Sequence, residues 1–292
     1  MSLEAIDQPK INLEAMGFTL SPNHEVCLLE RHLGLVFIAK PAKIILTLPN
    51  RLALIKAETT FGSRASRIMY WRDTRAHYEE KYNAYFCDAQ TSVYTGLHEN
   101  MHAYIYTKHP EMYEPIASFK EAATQRIFNR AGPRGDAQKF IVYRALNEGI
   151  SMWGAVTTEI RDVCLMDESI GDQLRIAVLG EMQSIGDRYF RKDVVNKNFA
   201  LLKQAIDTYQ SAVNQTGWTT LRLLFQAESK LKDSLYEAGY YFSSLAMHEL
   251  RKLPVREALT ILLRNPPQKL AELRHPVEFV REKYPKKCAD QG

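Results

Sequence analysis

The chain has 292 residues, of which 46% are hydrophobic and 25% are charged, as in an average folded globular protein. These proportions exclude a largely disordered chain. The net charge of +4 is small and spread along the chain, so the sequence predicts no nucleic-acid partner. The longest apolar run, residues 34–39, stops at Lys40, and we expect no membrane span. Residues 1–12 lack the apolar stretch of a signal peptide, but a native signal could have been removed, so the compartment stays open.

The hydrophobic periodicity predicts a mixed first third of the chain followed by helices, which is an α+β fold. In the first part we expect a helix over 22–40, a strand over 43–48, a short helix over 50–58, and strands over 66–71 and 82–87. The last of these strands is expected at the edge of the sheet. From residue 88 onward we expect helices over 88–107, 117–130, 137–161, 170–186, 193–214, 219–250 (continuous or broken) and 254–273.

A pentapeptide of the form HExxH, His98 to His102, is the most informative motif in this sequence. On a helix, two histidines four residues apart project from the same face, so both imidazoles can bind one Zn²⁺. Glu99 lies at the edge of that face, where it can act as a general base. Asp88 is the expected N-cap of this helix, which we predict over 88–107.

The third metal ligand is not fixed by this motif. A metzincin needs Gly and then His or Asp at three and six positions after the second histidine, where this chain has Ile105 and Lys108, so that class is excluded. Two glutamates remain as candidates. Glu121 lies 19 positions after His102, at the spacing found in HExxH aminopeptidases, and Glu148 lies 46 positions after it.

Two further segments resemble a known family, the gluzincin aminopeptidases. The run Leu146-Asn147-Glu148-Gly149 is similar to their L-N-E-G segment, and Tyr236-Glu237-Ala238-Gly239 is similar to their Y-x-K-G segment. The resemblance implies that Glu148 is the third zinc ligand and that Tyr236 donates a hydrogen bond to the developing oxyanion. It covers roughly residues 80–265 and is specific at about a dozen positions.

The chain also departs from that family. The interval from His102 to Glu148 is more than twice the usual one, so residues 109–140 would be an insertion. The segment that binds a free amino terminus in the aminopeptidases is absent, and Ala238 replaces the family's lysine. Aminopeptidase specificity is therefore not implied.

The resemblance implies a zincin-like arrangement, with a small mixed lobe (residues 1–108) that ends in the HExxH helix and a mainly helical lobe (residues 109–292). The function expected from it is a zinc metallopeptidase that hydrolyses peptides or proteins, with Glu99 as the general base. The alternative is a protein of the same fold without peptidase activity, which serves as a binding module or acts on a non-peptide substrate. Partners of the ligand imidazoles cannot be named from the sequence, and Glu159 and Asp162 are only candidates.

Overall fold

A computed structural model of the chain describes residues 12–57, 76–130, 135–165 and 188–285, together with Gly180 and Ser184. Within these residues lie ten bounded α-helices, two short 3₁₀ helices (Glu80–Tyr82 and Pro110–Met112) and a three-stranded sheet, which is the mixture of α and β structure that the sequence predicts. The strands are β1 (Ala42–Ile45), β2 (Ala76–Glu79) and β3 (Ala84–Cys87). The helices are α1 (His24–Leu33), α2 (Leu48–Ala57), α3 (Val93–Lys108), α4 (Glu114–Ile127), α5 (Ala137–Leu165), α6 (Lys192–Val213), α7 (Gly217–Glu249), α8 (Val255–Arg264), α9 (Leu270–Arg274) and α10 (Pro276–Lys283).

The strand predicted over 82–87 forms β3, but its predicted position at the edge of the sheet is wrong. The strand order is β1-β3-β2, so β3 is central, parallel to β1 and antiparallel to β2. Strand β2 pairs with the side of β3 that faces away from β1. The position of β3 was predicted wrongly because no strand was predicted over 76–79. The strand predicted over 66–71 lies outside the described residues.

The first helix is shorter than predicted. It ends at Leu33 because Gly34 adopts a left-handed conformation with φ of 65° and donates its N–H to Glu30 O. A glycine in this conformation is a common way of ending a helix. The residues from 34 to 40 therefore leave α1 and lead into β1.

The HExxH helix, α3, begins at Val93, later than predicted, and Asp88 is not its N-cap. Ser92 takes this place, with its Oγ accepting a hydrogen bond from Thr95 N. The Asp88 carboxylate instead accepts the N–H of Gln90 at 2.9 Å and closes a turn before the helix. The cap fixes where the helix begins, and the four-residue spacing places the two histidines on one face of it.

The later helices agree with the predicted ones except at the C-terminal end. Helices α4 to α7 lie close to the predicted ranges, and α7 is continuous. The single helix predicted over 254–273 is wrong, because α8 ends at Arg264 just before Pro266 and Pro267, which have no N–H to continue it. Apart from Gly180 and Ser184, the helix predicted over 170–186 lies outside the described residues.

The main hydrophobic core fixes α3 against the helices that follow it. Leu97, Met101 and Ile105 are fully buried along one face of α3 and belong to the same cluster as Leu146 and Ile150 of α5. Side chains from both sides of residue 108 contribute to this cluster, and the two-lobe division stays a prediction. Within the described part of the chain, no helix is long and apolar enough to cross a membrane.

Candidate metal centre

The two histidines of the HExxH motif converge on one point. Their Nε2 atoms lie 2.9 Å apart, and the two rings are nearly perpendicular, with an interplanar angle of 81°. Their side chains are only 10% and 12% exposed. Successive turns of α3 thus present two ring nitrogens at the same place, as the four-residue spacing predicts.

Glu148 completes this group from α5. Its Oε2 lies 3.3 Å from the Nε2 atoms of both His98 and His102. Among the described residues, these three side chains form a group that could hold a metal ion. The other candidate ligand, Glu121, is an exposed residue of α4 and does not belong to this group. The structure thus brings together the two histidines and the glutamate of the Leu-Asn-Glu-Gly segment.

The chemistry of the three groups fits a cation. Glu148 Oε2 is buried and forms no hydrogen bond of normal geometry with any described residue. Burial favours the neutral carboxyl, but the neighbouring His102 and His98 outweigh it and hold the pKa of Glu148 well below its usual range. Likewise, burial disfavours the charged form of His102, but the carboxylates of Glu148 and Glu99 raise its pKa to about 9. A negative charge therefore faces two ring nitrogens inside the protein, where a metal ion would satisfy all three ligand atoms.

The distances suit a tetrahedral ion. Ligand atoms at about 2.0–2.1 Å from Zn²⁺ lie about 3.3–3.4 Å from one another in a tetrahedron. The spacings here are 2.9, 3.3 and 3.3 Å. Two imidazoles and a carboxylate are ligands typical of zinc, and three protein ligands leave a fourth position open, as in catalytic rather than structural sites.

Two glycines explain how α5 and α7 approach each other at this site. A Cβ added to Gly149 would lie 2.0 Å from the carbonyl carbon of Gly239, and a Cβ added to Gly239 would lie 1.8 Å from Ala145 O. Neither position has room for a side chain, because the obstacle is backbone in both cases. The glycines of the two motif segments are therefore the contact at which the helices cross, and this contact brings Glu148 and Tyr236 to the same region.

Tyr236 lies beside His98, and its role as an oxyanion donor stays a prediction. Its ring centroid is 6.0 Å from that of His98, with an angle of 35° between the rings, and the residue is 42% exposed. A core tyrosine would be buried instead, as Tyr240 is one turn later. Tyr236 is thus a half-exposed phenol at the rim of the His/His/Glu group.

Glu99 is oriented by the sheet. Its Oε2 accepts a hydrogen bond from the backbone N–H of Tyr78 in β2, at 2.6 Å. The side chain therefore points from α3 towards the outer strand of the sheet. This contact fixes one oxygen of the carboxylate, and it could not be predicted because β2 itself was not predicted.

Residues of α5 and of the turn before α4 contact His102, and the sequence did not identify them. Ser151 Oγ lies 3.2 Å from His102 Nδ1, one turn after Glu148 on α5. The Tyr113 hydroxyl donates to His102 O at 3.3 Å and accepts a hydrogen bond from Asn147 Nδ2 at 3.0 Å. The only available signal was the spacing of Ser151, three residues after Glu148 and so on the same face of α5.

The two acidic residues considered as partners of the ligand imidazoles lie further along α5. Asp162 Oδ1 is 2.8 Å from Nε2 of His32, a residue of α1, so this carboxylate connects α5 to α1. The role of Glu159 stays a prediction.

Comparisons of the chain with protein-family models, with curated proteins and with solved structures found no match. The interpretation of the site therefore depends on its geometry and chemistry.

Proposed function

We propose that this chain is a zinc-dependent peptidase in which His98, His102 and Glu148 hold the metal ion. The observation that carries the proposal is the convergence of three buried ligand atoms, with Glu148 Oε2 3.3 Å from each histidine nitrogen. Bound zinc supplies a Lewis acid that polarises a carbonyl and lowers the pKa of water towards neutrality. This activity requires a base and a hydrogen-bond donor beside the metal, and the chain offers a candidate for each.

Glu99 is the proposed general base. Its neighbour His98 is a ligand, and the hydrogen bond from Tyr78 N to Oε2 holds the carboxylate in a fixed orientation. In this role it takes a proton from the attacking water and passes it to the leaving amine. A protein that only bound a metal ion would not need a carboxylate at this position beside the two histidine ligands.

Tyr236 is the proposed oxyanion donor. The ring centroid lies 6.0 Å from that of His98 and the residue is 42% exposed, so this side chain lies next to a substrate bound at the proposed metal ion. Hydrogen bonds to an oxyanion strengthen as negative charge develops, and one such donor is typically worth about 100-fold or more in kcat.

The order of the three segments supports a gluzincin-like scaffold for this activity. HExxH, Asn-Glu-Gly and Tyr-x-x-Gly follow one another as in the aminopeptidases, and the glycines of the last two segments are in contact. The insertion between the first two contributes Tyr113, which contacts both His102 and Asn147. The proposed activity is hydrolysis of peptide bonds, without a preference for either end of the substrate.

The general base can be tested separately from metal binding with Glu99→Gln, which keeps the size of the side chain. We expect this variant to retain its zinc, measured by elemental analysis, while hydrolysis of an unbiased peptide library falls about 100-fold or more. Glu121→Gln, a change at an exposed residue of α4, serves as the control and should keep both properties.

Two outcomes would contradict the proposal. Undiminished hydrolysis by the Glu99→Gln protein would show that Glu99 is not the base. If the zinc-loaded wild-type chain cuts nothing in the library, the alternative of a metal-binding protein without peptidase activity becomes the better explanation.

A further inference from the structure

Helix α7 carries a line of exposed aromatic side chains that leads away from the candidate metal centre. Trp218, Phe225 and Tyr236 are 79%, 69% and 42% exposed. At about 100° of rotation per residue, positions 218, 225 and 236 of a helix face the same direction to within roughly 20°. Tyr236 is the end of this line that lies beside His98. We call these three residues, together with Phe128 below, the aromatic stripe.

Phe128 extends the stripe at its far end. It follows α4 and is 65% exposed. The next residue, Asn129, lies against the start of α7, where a Cβ added to Gly217 would be 3.2 Å from Asn129 Oδ1. Phe128 and Trp218 are the chain neighbours of these two residues, so their backbones lie at the same end of the stripe.

Arginines accompany the aromatic residues at this end. The Arg130 guanidinium lies 6.0 Å from the centre of the Phe128 ring. Arg222 is exposed and lies one turn after Trp218 on α7. Neither arginine forms an ion pair with another residue in the described part of the chain. Exposed apolar surface beside positive charge that has no ion-pair partner among the described residues fits a ligand that is both apolar and acidic.

Helix geometry gives the reach of the stripe. With a rise of 1.5 Å per residue, Phe225 and Trp218 lie about 16 and 27 Å along the axis from Tyr236. An extended peptide covers about 3.3 Å per residue, so these distances correspond to about five and eight residues of bound substrate. A peptide with its scissile bond at the metal would thus reach both side chains.

We infer that the aromatic stripe binds the outer part of an extended peptide substrate, about five to eight residues from the bond that is cut. It favours an apolar or aromatic substrate side chain with acidic neighbours. This inference rests on the proposed peptidase function and adds a substrate class to it: peptides or unfolded protein segments longer than about eight residues, rather than dipeptides or tripeptides.

Binding to the zinc-loaded Glu99→Gln protein tests the inference without requiring hydrolysis. The probe is a fluorescein-labelled 18-residue peptide with a central Ala-Leu bond and Phe-Glu pairs five to eight residues away on both sides. The comparison peptide has Ser for each Phe and Gln for each Glu. We expect the Phe-Glu peptide to bind at least tenfold more tightly by fluorescence anisotropy.

Variants of the stripe show where this preference arises. The double variant Trp218→Ser, Phe225→Ser should bring the affinity ratio of the two peptides close to one. The double variant Arg130→Gln, Arg222→Gln should remove the part of the affinity difference that comes from the Glu residues of the peptide. The control is the double variant Leu48→Ser, Leu165→Ser, which should leave the affinity ratio unchanged. These two leucines are 70% and 74% exposed.

Equal binding of the two peptides would overturn the inference, even if the wild-type protein cuts library peptides. The inference would also be overturned if the chain self-associates and Phe225→Ser abolishes this association, because the stripe would then bind a second copy of the chain. Tight, stripe-dependent binding of the Phe-Glu peptide by a protein that cuts nothing would support the stripe and contradict the peptidase proposal, so the two can fail separately.

Discussion

At the scale of single residues, the site depends most on Glu148. A carboxylate that is largely buried and faces two ring nitrogens is costly unless a positive charge compensates for it. The lowered pKa of Glu148, which its histidine neighbours impose against the effect of burial, keeps it ionised at neutral pH. The pKa of His102 is raised to about 9, so this imidazole must release its proton when a metal ion binds, because neutral imidazoles and an ionised carboxylate are the forms that coordinate it.

Replacing Tyr236 by Phe should lower kcat by about 100-fold, because an oxyanion contact strengthens only in the transition state. Zinc content and KM should change little. Tyr240→Phe is the control, since Tyr240 is buried and packs against Tyr189 at a centroid distance of 5.7 Å, so it should affect only thermal stability. Steady-state kinetics of a cleaved library peptide would check this prediction, and unchanged kcat in Tyr236→Phe would remove the oxyanion role.

The residues that the sequence could identify are those fixed by local spacing. Four positions separate His98 from His102, and any helix places such a pair on one face. Glu148 was identified only through the resemblance of its segment, because its approach to the histidines depends on the packing of α5 on α3. Tyr113 and Ser151 were not predicted, since Tyr113 contacts His102 from the turn before α4 and Ser151 contacts it from α5.

At the scale of elements, the crossing of α5 and α7 joins the second and third motif segments. Gly149 and Gly239 let the two backbones approach until any side chain would overlap with backbone atoms. Helix interiors seldom hold glycine, because it costs about 1 kcal/mol relative to alanine. Close approach at the candidate site is what compensates for this cost here.

Gly239→Ala should therefore destabilise the protein, although alanine is the better helix former. The added Cβ would lie 1.8 Å from Ala145 O, so the helices must separate, and we expect a loss of about 3 kcal/mol or more in unfolding free energy. Zinc affinity should fall too, because α5 carries Glu148. Gly180→Ala, where an added Cβ meets none of the described atoms within 4 Å, should not destabilise. Urea unfolding and zinc titration measure both effects, and a Gly239→Ala protein as stable as wild type would contradict the close crossing.

The predicted helices were confirmed where the sequence has a continuous helical period. Helix α7, for example, is continuous from Gly217 to Glu249. The predictions were wrong or incomplete where strand pairing forms an element or where a local stop signal was overlooked. Strand β2 was missed because its short, mixed run of Ala, His, Tyr and Glu becomes a strand only by pairing with β3. The end of α1 could have been placed at Gly34, whose left-handed conformation is a standard helix stop.

At the scale of the whole molecule, the hydrophobic core is built without the three candidate ligands. The main cluster of buried apolar side chains runs from Val26 in α1 to Val280 in α10 and includes no member of the His/His/Glu group. A second cluster, which includes Phe18 and Phe86, packs around the sheet. A chain with this much buried apolar surface should stay folded when the metal is removed.

Chelation should thus lower Tm without unfolding the chain. Metal present at 1,000 times its Kd contributes about 4 kcal/mol, which for a domain of this size corresponds to roughly 8–16 °C. Circular dichroism at 25 °C should keep its helical signal with EDTA present, while the thermal transition moves down. Complete loss of helix on chelation would make the metal structural, and an unchanged Tm would indicate that no metal is bound.

The most direct measurement of the central claim is a zinc titration of metal-free protein by calorimetry, made on wild type, Glu148→Ala and Glu121→Ala. The account predicts one site per chain in the wild type and in Glu121→Ala, with similar Kd, and a loss of affinity of at least about 100-fold in Glu148→Ala. The result that would contradict this account is loss of zinc from Glu121→Ala with retention of zinc by Glu148→Ala. The third ligand would then be Glu121 of α4, and Glu148 would not bind the metal.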